Sequence, residues 1–537
     1  MHVGVERQFA SNIFRMSGKE PAMSIRARQI QRRFSAVATL VLGVMTVFAT
    51  LLPLNAQALP LFARQTGQNC VSCHAGGQFP ELTPYGRMFK LTGYTIGERV
   101  AVPLAVMGQV LYAKVKDTSK SDDPAGDFQK NGSPLFGGGS IFFGGKITDN
   151  IGAFVQWSYD NYAGQRVGDS GNNDGRFQGK PSIDNVDIRY ADRFIDANRD
   201  LIVGLSVNNN PSVSDPWNTA AAWMQYVPDT SLTSHRFSDA KTPFPANAIT
   251  NDPGNVAGIS AYAYLNKRVY AELGFYQTAN KGFSFMSGGI NNESTAKLKG
   301  TNNPYWRLAL THEWGAHNIM VGATGMVAHL YDDNTDTSDA NSVHRVTNTG
   351  VDAQYQYLLD PHTITVQAAY MRQKTNCSAN NIAEIRSGAM ASPFVAADGT
   401  TPLAQFNDSD TTNVFRAKAT YVYRATYGGS LAYFNLTGTT NTANQSSGYD
   451  PVTGTITSTD PLGLGSALSP RVSGNLSGNP ATRGFTYEAF WMPVQYVRIG
   501  AQYTAYNKFN GASENYDGLG RNARDNNTLF LYVWGAY

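Results

Sequence analysis

The sequence predicts an all-β chain: an outer-membrane barrel of about sixteen antiparallel strands, with a small, mainly helical N-terminal segment plugging its lumen. Three observations predict it. From residue 101 to 537 apolar and polar residues alternate with period two. Tight and long connections follow one another almost strictly. After residue 58 no apolar stretch is long enough for a spanning helix, so a membrane protein of this composition must cross with half-apolar strands. Charged residues make up 15% and aromatics 12%, with a mean hydropathy of −0.31, as such strands require.

The alternation is legible residue by residue. Ala153, Val155, Trp157 and Tyr159 are interleaved with Gln156, Ser158 and Asp160; Val351, Ala353, Tyr355 and Tyr357 with Asp352, Gln354 and Gln356. Phe415, Ala417, Ala419, Tyr421 and Tyr423 alternate with Arg416, Lys418, Thr420 and Arg424, and Val497, Ile499, Ala501, Tyr503 and Ala505 with Arg498, Gln502 and Thr504. One face suits lipid and the other a wet lumen. Strand cores fall at 101–115, 138–147, 151–160, 182–192, 200–208, 256–265, 268–278, 304–314, 317–329, 345–358, 362–373, 413–424, 427–438, 483–492, 496–506 and 526–537. Connections at 148–150, 266–267, 315–316, 360–361, 425–426 and 493–495 are tight. Those at 209–255, 279–303, 374–412 and 439–481 are long and polar. Short turns belong to the periplasmic side and long loops to the outside, so the first strand starts from the periplasm. The last strand, Leu529 to Tyr537, ends on an aromatic residue and reads as the closing strand. A soluble β-sandwich can alternate equally well, but the loop pattern over so many strands favours the barrel.

Residues 1–58 read as a cleaved export signal. Arg26, Arg28, Arg32 and Arg33 precede an apolar run from Ala36 to Leu52, and Ala56-Gln57-Ala58 supplies a small-x-small cleavage site. Met23 would start such a signal by itself. Without these residues the chain has 36 basic and 38 acidic side chains, so its formal +3 becomes −2 and nothing suggests a nucleic-acid partner.

Residues 59–99 form the segment ahead of the barrel, which occupies 100–537. Cys70-Val71-Ser72-Cys73-His74 is a C-x-x-C-H sequence. Its spacing lets two thiols form thioethers to haem vinyl groups while the adjacent imidazole reaches the iron. The competing reading is a zinc or redox C-x-x-C. Export favours haem c, which is attached outside the cytoplasm. Thr83-Pro84 reads as N-cap and first residue of a single helix closed by Gly93. So short a segment cannot enclose a haem in a core of its own and must borrow walls. Cys377 remains single in a polar loop and reads as a thiol without a role.

Pro60 to Gly67, the C-x-x-C-H, Pro80-Glu81-Leu82, Gly86 to Lys90 and Gly93-Tyr94-Thr95 resemble the fused monohaem cytochrome c–porin family. Its best-known members are outer-membrane iron(II) oxidases. The close resemblance covers Pro60 to Thr95; over the barrel it is one of pattern, apart from Asp215-Pro216-Trp217-Asn218-Thr219. The resemblance implies one covalent haem held by Cys70 and Cys73 with His74 on the iron. It also implies electron flow from external Fe(II), or another donor, to a periplasmic carrier. The haem motif is specific for the architecture and less so for iron.

The sixth iron position is expected at Met107, in the first strand on the lumen face, with Met88 on the short helix as runner-up; His/Met ligation raises the potential. Either methionine could instead simply fill a gap. His312, His317, His329, His344 and His362 lie in or near strands and read as ordinary polar residues. Asp332, Asp333, Asp336 and Asp339 cluster in one external loop, where solvated carboxylates are the better reading than a cation site. The alternative function is a solute porin whose haem segment is a plug or redox sensor, with Arg416, Lys418 and Arg498 along the path. A monomer is favoured.

Overall fold

The computed structural model describes residues 61–116, 132, 134–167, 173–219, 256–286, 297–332, 336–383, 407–441, 448–449, 456–457, 477–516 and 520–537. The expected export signal, 1–58, lies outside the described residues.

Sixteen strands close into one antiparallel barrel in chain order. They are β1 (Leu104–Val115), β2 (Pro134–Lys146), β3 (Ile151–Val167), β4 (Asn173–Ile195), β5 (Asp200–Asn208), β6 (Val256–Leu265), β7 (Val269–Thr278), β8 (Pro304–Trp314), β9 (His317–Tyr331), β10 (Val343–Leu359), β11 (His362–Asn376), β12 (Ser409–Tyr423), β13 (Tyr427–Gly438), β16 (Thr482–Val494), β17 (Val497–Lys508) and β18 (Thr528–Ala536). Two-residue strands β14 (Gly448–Tyr449) and β15 (Ile456–Thr457) pair with each other apart from the barrel. Closure is by β1 on β18, from Val115 opposite Thr528 to Met107 opposite Ala536. The closing strand ends one residue before the expected Tyr537, whose N–H and carbonyl still pair with Val106 at 2.8 Å.

The tight turns follow from local conformation. Asn266 and Lys267, and likewise Arg424 and Ala425, all adopt positive φ. That is the two-residue geometry whose twist matches flanking antiparallel strands. Strand cores and structure differ most at β3 and β4, whose ladder continues to Val167 opposite Asn173, past the apolar alternation.

Outward positions are apolar at mid-strand, as at Leu205, Leu273, Leu308, Val351 and Leu431. Aromatics stand toward the short-turn end at Phe194, Trp314, Tyr427 and Trp491, and toward the other end at Phe275, Trp306, Tyr370 and Phe415. An apolar band between aromatic girdles is what a bilayer selects. The alternate positions, among them Asp352, Gln354, Gln356, Arg416, Arg498 and Gln502, are buried inward. No described helix is long and apolar enough to cross a membrane; the strands cross instead.

The N-terminal segment holds more helix than expected. Besides Pro84–Leu91 it contains Leu61–Thr66, Cys70–Cys73 and a 3-10 turn at Ala75–Gly77. The single-helix expectation is corrected here: six and four residues are too short for a 3.6-residue period to register.

Candidate functional site

The segment lies inside the barrel at its short-turn end. The Cys70 N–H donates to Gln495 Oε1 at 3.1 Å, in the turn joining β16 and β17. Arg87 donates to Gln356 Oε1 at 3.2 Å and to Asn318 Oδ1 at 3.0 Å, on β10 and β9. The Tyr94 hydroxyl donates to Asp187 on β4 at 2.5 Å, and the Tyr262 hydroxyl of β6 donates to the Leu91 carbonyl at 2.8 Å. The walls that so short a segment must borrow are thus those of the barrel.

Local chemistry builds the C-x-x-C-H turn. The His74 N–H returns to the Cys70 carbonyl at 2.8 Å, closing one helical turn. The Thr83 hydroxyl accepts from the Gly86 N–H at 3.1 Å, the N-cap that the sequence predicts, and Pro84 occupies the first helical position. The helix ends before Gly93, whose φ is +74°.

Cys70, Cys73 and His74 line one mainly apolar cleft enclosing about 1270 Å³ of empty space, its mouth included. Both cysteines are unpaired thiols. Burial pushes both thiols up, Cys73 to about 11 with Cys70 beside it. His74 Nδ1 is enclosed and makes no hydrogen bond. Burial pushes the imidazole down to about 4, leaving it in the neutral, ligating form. The Phe79 ring lies 4.1 Å from it, and Trp534 of β18 lies 5.2 Å from Phe79. Two thiols one helical turn apart, a neutral imidazole and an apolar cleft are a donor set that fits a covalent haem.

The two methionines separate. Met107 lines the cleft with His74 and packs with Phe79 and Trp534. Met88 faces away and packs on the cluster of Leu91, Ile202, Trp217 and Tyr262. None of His312, His317, His329, His344 and His362 lines the cleft. His312 and His317 stack on Trp314, His362 meets the Tyr421 hydroxyl at 2.8 Å, and His344 Nδ1 accepts from the Ser378 N–H at 2.9 Å. His329 is a half-buried residue of β9.

The stretch after β5, which the sequence reads as part of a long external loop, turns into the lumen instead. Asn208 to Thr219 are all buried. Asn210 caps the short helix Pro211–Ser214 by accepting from the Val213 N–H at 2.9 Å. Arg307 of β8 is 3.5 Å from Asp215 and pairs with Asp352 of β10, to which Thr219 also donates. Arg416 donates to the Thr219 carbonyl at 2.6 Å. Sequence reasoning misses these ties because the partners are far apart in the chain. The signals for them are three consecutive asparagines before Pro211 and the Asp215–Thr219 segment, whose tryptophan stands in a polar stretch.

The lumen charges are engaged. Arg498 donates to Glu488 at 2.7 Å, to the Tyr532 hydroxyl at 2.6 Å and to Gln78 of the plug. Arg189 pairs with Asp187 at 2.8 Å. Lys418 is half-buried. In the acidic loop, Asp332 accepts from Ser378, Asp336 from Ser338 and Asp339 from Asn341 and Asn380; Asp333 lies outside the described residues. Among the described residues no group of three or more His, Cys, Asp or Glu is placed to hold a metal ion. Cys377 is a half-buried thiol.

No protein-family model matches this chain, and no curated protein matches it. Among solved structures, OmpF of Salmonella typhi in complex with daunomycin is similar at 10% identity and a TM-score of 0.40, covering 81% of this chain and 97% of that one. A loop L8 deletion mutant of OmpT from Vibrio cholerae gives 9% and 0.37, covering 81% and 98%. An anion-selective porin from Comamonas acidovorans gives 10% and 0.37, covering 81% and 98%. At these values the likeness adds nothing to the barrel's own geometry. That geometry, a closed sixteen-strand barrel with an apolar outer band, places the protein in the bacterial outer membrane with a helical N-terminal segment inside its lumen.

Proposed function

We propose that the chain is an outer-membrane electron-transfer protein that takes electrons from extracellular Fe(II) through one covalent haem c and delivers them to a periplasmic carrier. In this reading residues 1–58 are the export signal, 59–99 the cytochrome segment and 100–537 the barrel. Cys70 and Cys73 hold the haem, His74 ligates its iron and Met107 supplies the sixth ligand. The observation that carries the reading is that both thiols and the imidazole of the C-x-x-C-H face one apolar cleft inside the lumen.

The bound haem would supply a one-electron station in a layer electrons otherwise cannot cross. The chain would do the rest: the mainly apolar lining would limit water, the Cys70 and Cys73 thiols would tether the ring, and Arg87, Gln78 and Tyr94 tie the plug to the wall. The short-turn mouth faces the compartment where a soluble carrier would collect the electron. Stopped-flow mixing of Fe(II) with the oxidised protein tests the reading. Reduction of the haem bands is expected; an unchanged spectrum at a favourable haem potential would overturn it.

A second reading is a solute porin with a haem-bearing plug. Sixteen strands with short turns at one end and an inward-folded segment between charged walls favour it. Planar-bilayer conductance separates the two: large, stable channels in the haem-loaded protein support the porin, and their absence supports the electron conduit.

A further inference from the structure

The cleft beside Cys70, Cys73 and His74 is not apolar all round. Its wall toward the barrel carries Phe79, Met107, Phe142, Phe154 and Trp534, whereas another side is made by Lys90 of the Pro84–Leu91 helix and by Ser212, Asp215 and Asn218 of the inward loop. Lys90 reaches that loop and donates to the backbone carbonyls of Val213 and, at 3.2 Å, Asp215. Both acceptors are neutral, and an ammonium has three donors.

The carboxylates that act on Lys90 are committed elsewhere: Glu272 accepts from Ser260 at 2.7 Å and Tyr270 at 2.8 Å. Asp187 accepts from Arg189 and Ser206, each at 2.8 Å, and from Tyr94. The Asp215 carboxylate accepts from the N–H groups of Trp217 at 3.2 Å and Thr219 at 3.0 Å, with Arg307 at 3.5 Å. A cation this deep without a contacting anion is costly. An anionic group in the cleft would meet it with charge-assisted hydrogen bonds.

Ring geometry says which anion. A haem tethered through two thioethers carries its two carboxylates on the edge away from those bonds. Held at Cys70 and Cys73, such a ring would need polar lining or the cleft's mouth for its carboxylates, and Lys90 is the one lysine or arginine among the lining residues. We propose that Lys90, together with Asn218 of the inward loop, binds the carboxylate edge of the haem held at Cys70 and Cys73. The proposal rests on the haem reading above. It gives the inward loop a role: a segment far downstream in the chain clamps the cofactor that the plug brings in.

The test uses the full-length haem-loaded protein and resonance Raman of the haem carboxylate bending modes. Lys90→Met is expected to shift a carboxylate band and to lower the haem reduction potential, Lys90→Arg to keep both near wild type, and Asn218→Ala to shift the band alone. Wild-type band positions in both Lys90→Met and Asn218→Ala would overturn the proposal. If Lys90→Met yields no folded barrel, Asn218→Ala decides by the same band. Absence of covalent haem from the wild-type barrel would instead overturn the parent reading, so the two failures are distinct.

Discussion

A Cβ on Gly86 would stand 2.2 Å from the carbonyl oxygen of Cys73, so the helix and the C-x-x-C-H turn are seated in a contact that only glycine permits. The same carbonyl accepts the Thr83 N–H at 2.9 Å, which ties the helix cap to the turn. Two effects of Gly86→Ala oppose each other. Helix propensity favours alanine by about 1 kcal/mol, whereas overpacking against backbone costs about 1–3 kcal/mol. Backbone cannot swing aside as a side chain can, so the clash wins. The haem-stained fraction of purified protein is expected to fall severalfold while heat-modifiable gel mobility, which reports the barrel, is unchanged. Wild-type haem content in Gly86→Ala would show that the close seat is dispensable.

Val351 and Asp352 are neighbours on β10 with opposite fates. Val351 is 56% exposed on the outer face, whereas Asp352 is buried in the lumen against Arg307. Val351→Arg places a charge near the middle of the apolar band and should cost about 2–4 kcal/mol. Urea titration in lipid vesicles measures it. A change within error would mean that this face does not meet lipid.

Period two makes the barrel legible, because a slip of one residue would turn Val351 inward and Asp352 outward. The alternation alone therefore assigns Arg416 and Arg498 to the lumen face, where both are buried. Their partners are not legible in the same way. Gln78 and Arg498 meet across most of the chain, and only closure of the barrel brings them together. The inward course of Asn208 to Thr219 is hidden for another reason: buried polar residues look like a solvated loop until their hydrogen bonds are known. The C-x-x-C-H is legible as chemistry, but the wall opposite it is not. Phe142, Phe154 and Trp534 come from three strands whose inward side only the register defines.

Cys377, just beyond β11, illustrates a group that burial silences. Its enclosure, with Asp410 and Asp408 nearby, pushes the thiol up to about 12. Its thiolate fraction at pH 8 then lies about a thousandfold below that of an ordinary thiol. Iodoacetamide at pH 8 should leave Cys377 unmodified in the folded barrel and alkylate it after urea unfolding. Equal labelling rates in the two states would contradict the enclosed environment.

Arg498 and Glu488 form a buried pair, each 2% exposed or less at the side chain. Arg498→Met leaves the buried Glu488 carboxylate without its guanidinium, with Ser430, Gln502 and Tyr532 still donating to it, and removes the donor to Gln78 Oε1, which should cost about 3–5 kcal/mol. Adding Glu488→Gln removes the stranded charge, so the double variant is expected to be more stable than the single one. A urea double-mutant cycle reads the coupling. Strictly additive costs would show that the two side chains do not act as a pair.

In the proposed haem reading, the surroundings of Met107 and Met88 separate them as candidates for the sixth ligand. Met107 stands in the wall of the cleft that holds His74, on a strand whose position is fixed by pairing to β18 and β2. Met88 is held in the cluster around Trp217, off the cleft lining, so reaching the iron would require it to leave that packing. Leucine preserves volume at either site and should cost less than about 1.5 kcal/mol, so a change in the haem isolates ligation from folding. In the haem-loaded protein Met107→Leu is expected to abolish the weak long-wavelength band that thioether ligation gives ferric haem. It should also lower the reduction potential, since losing a methionine ligand removes what raises it. Met88→Leu should leave both unchanged. Retention of the band in Met107→Leu with its loss in Met88→Leu would reverse the assignment and require the helix to turn within the lumen.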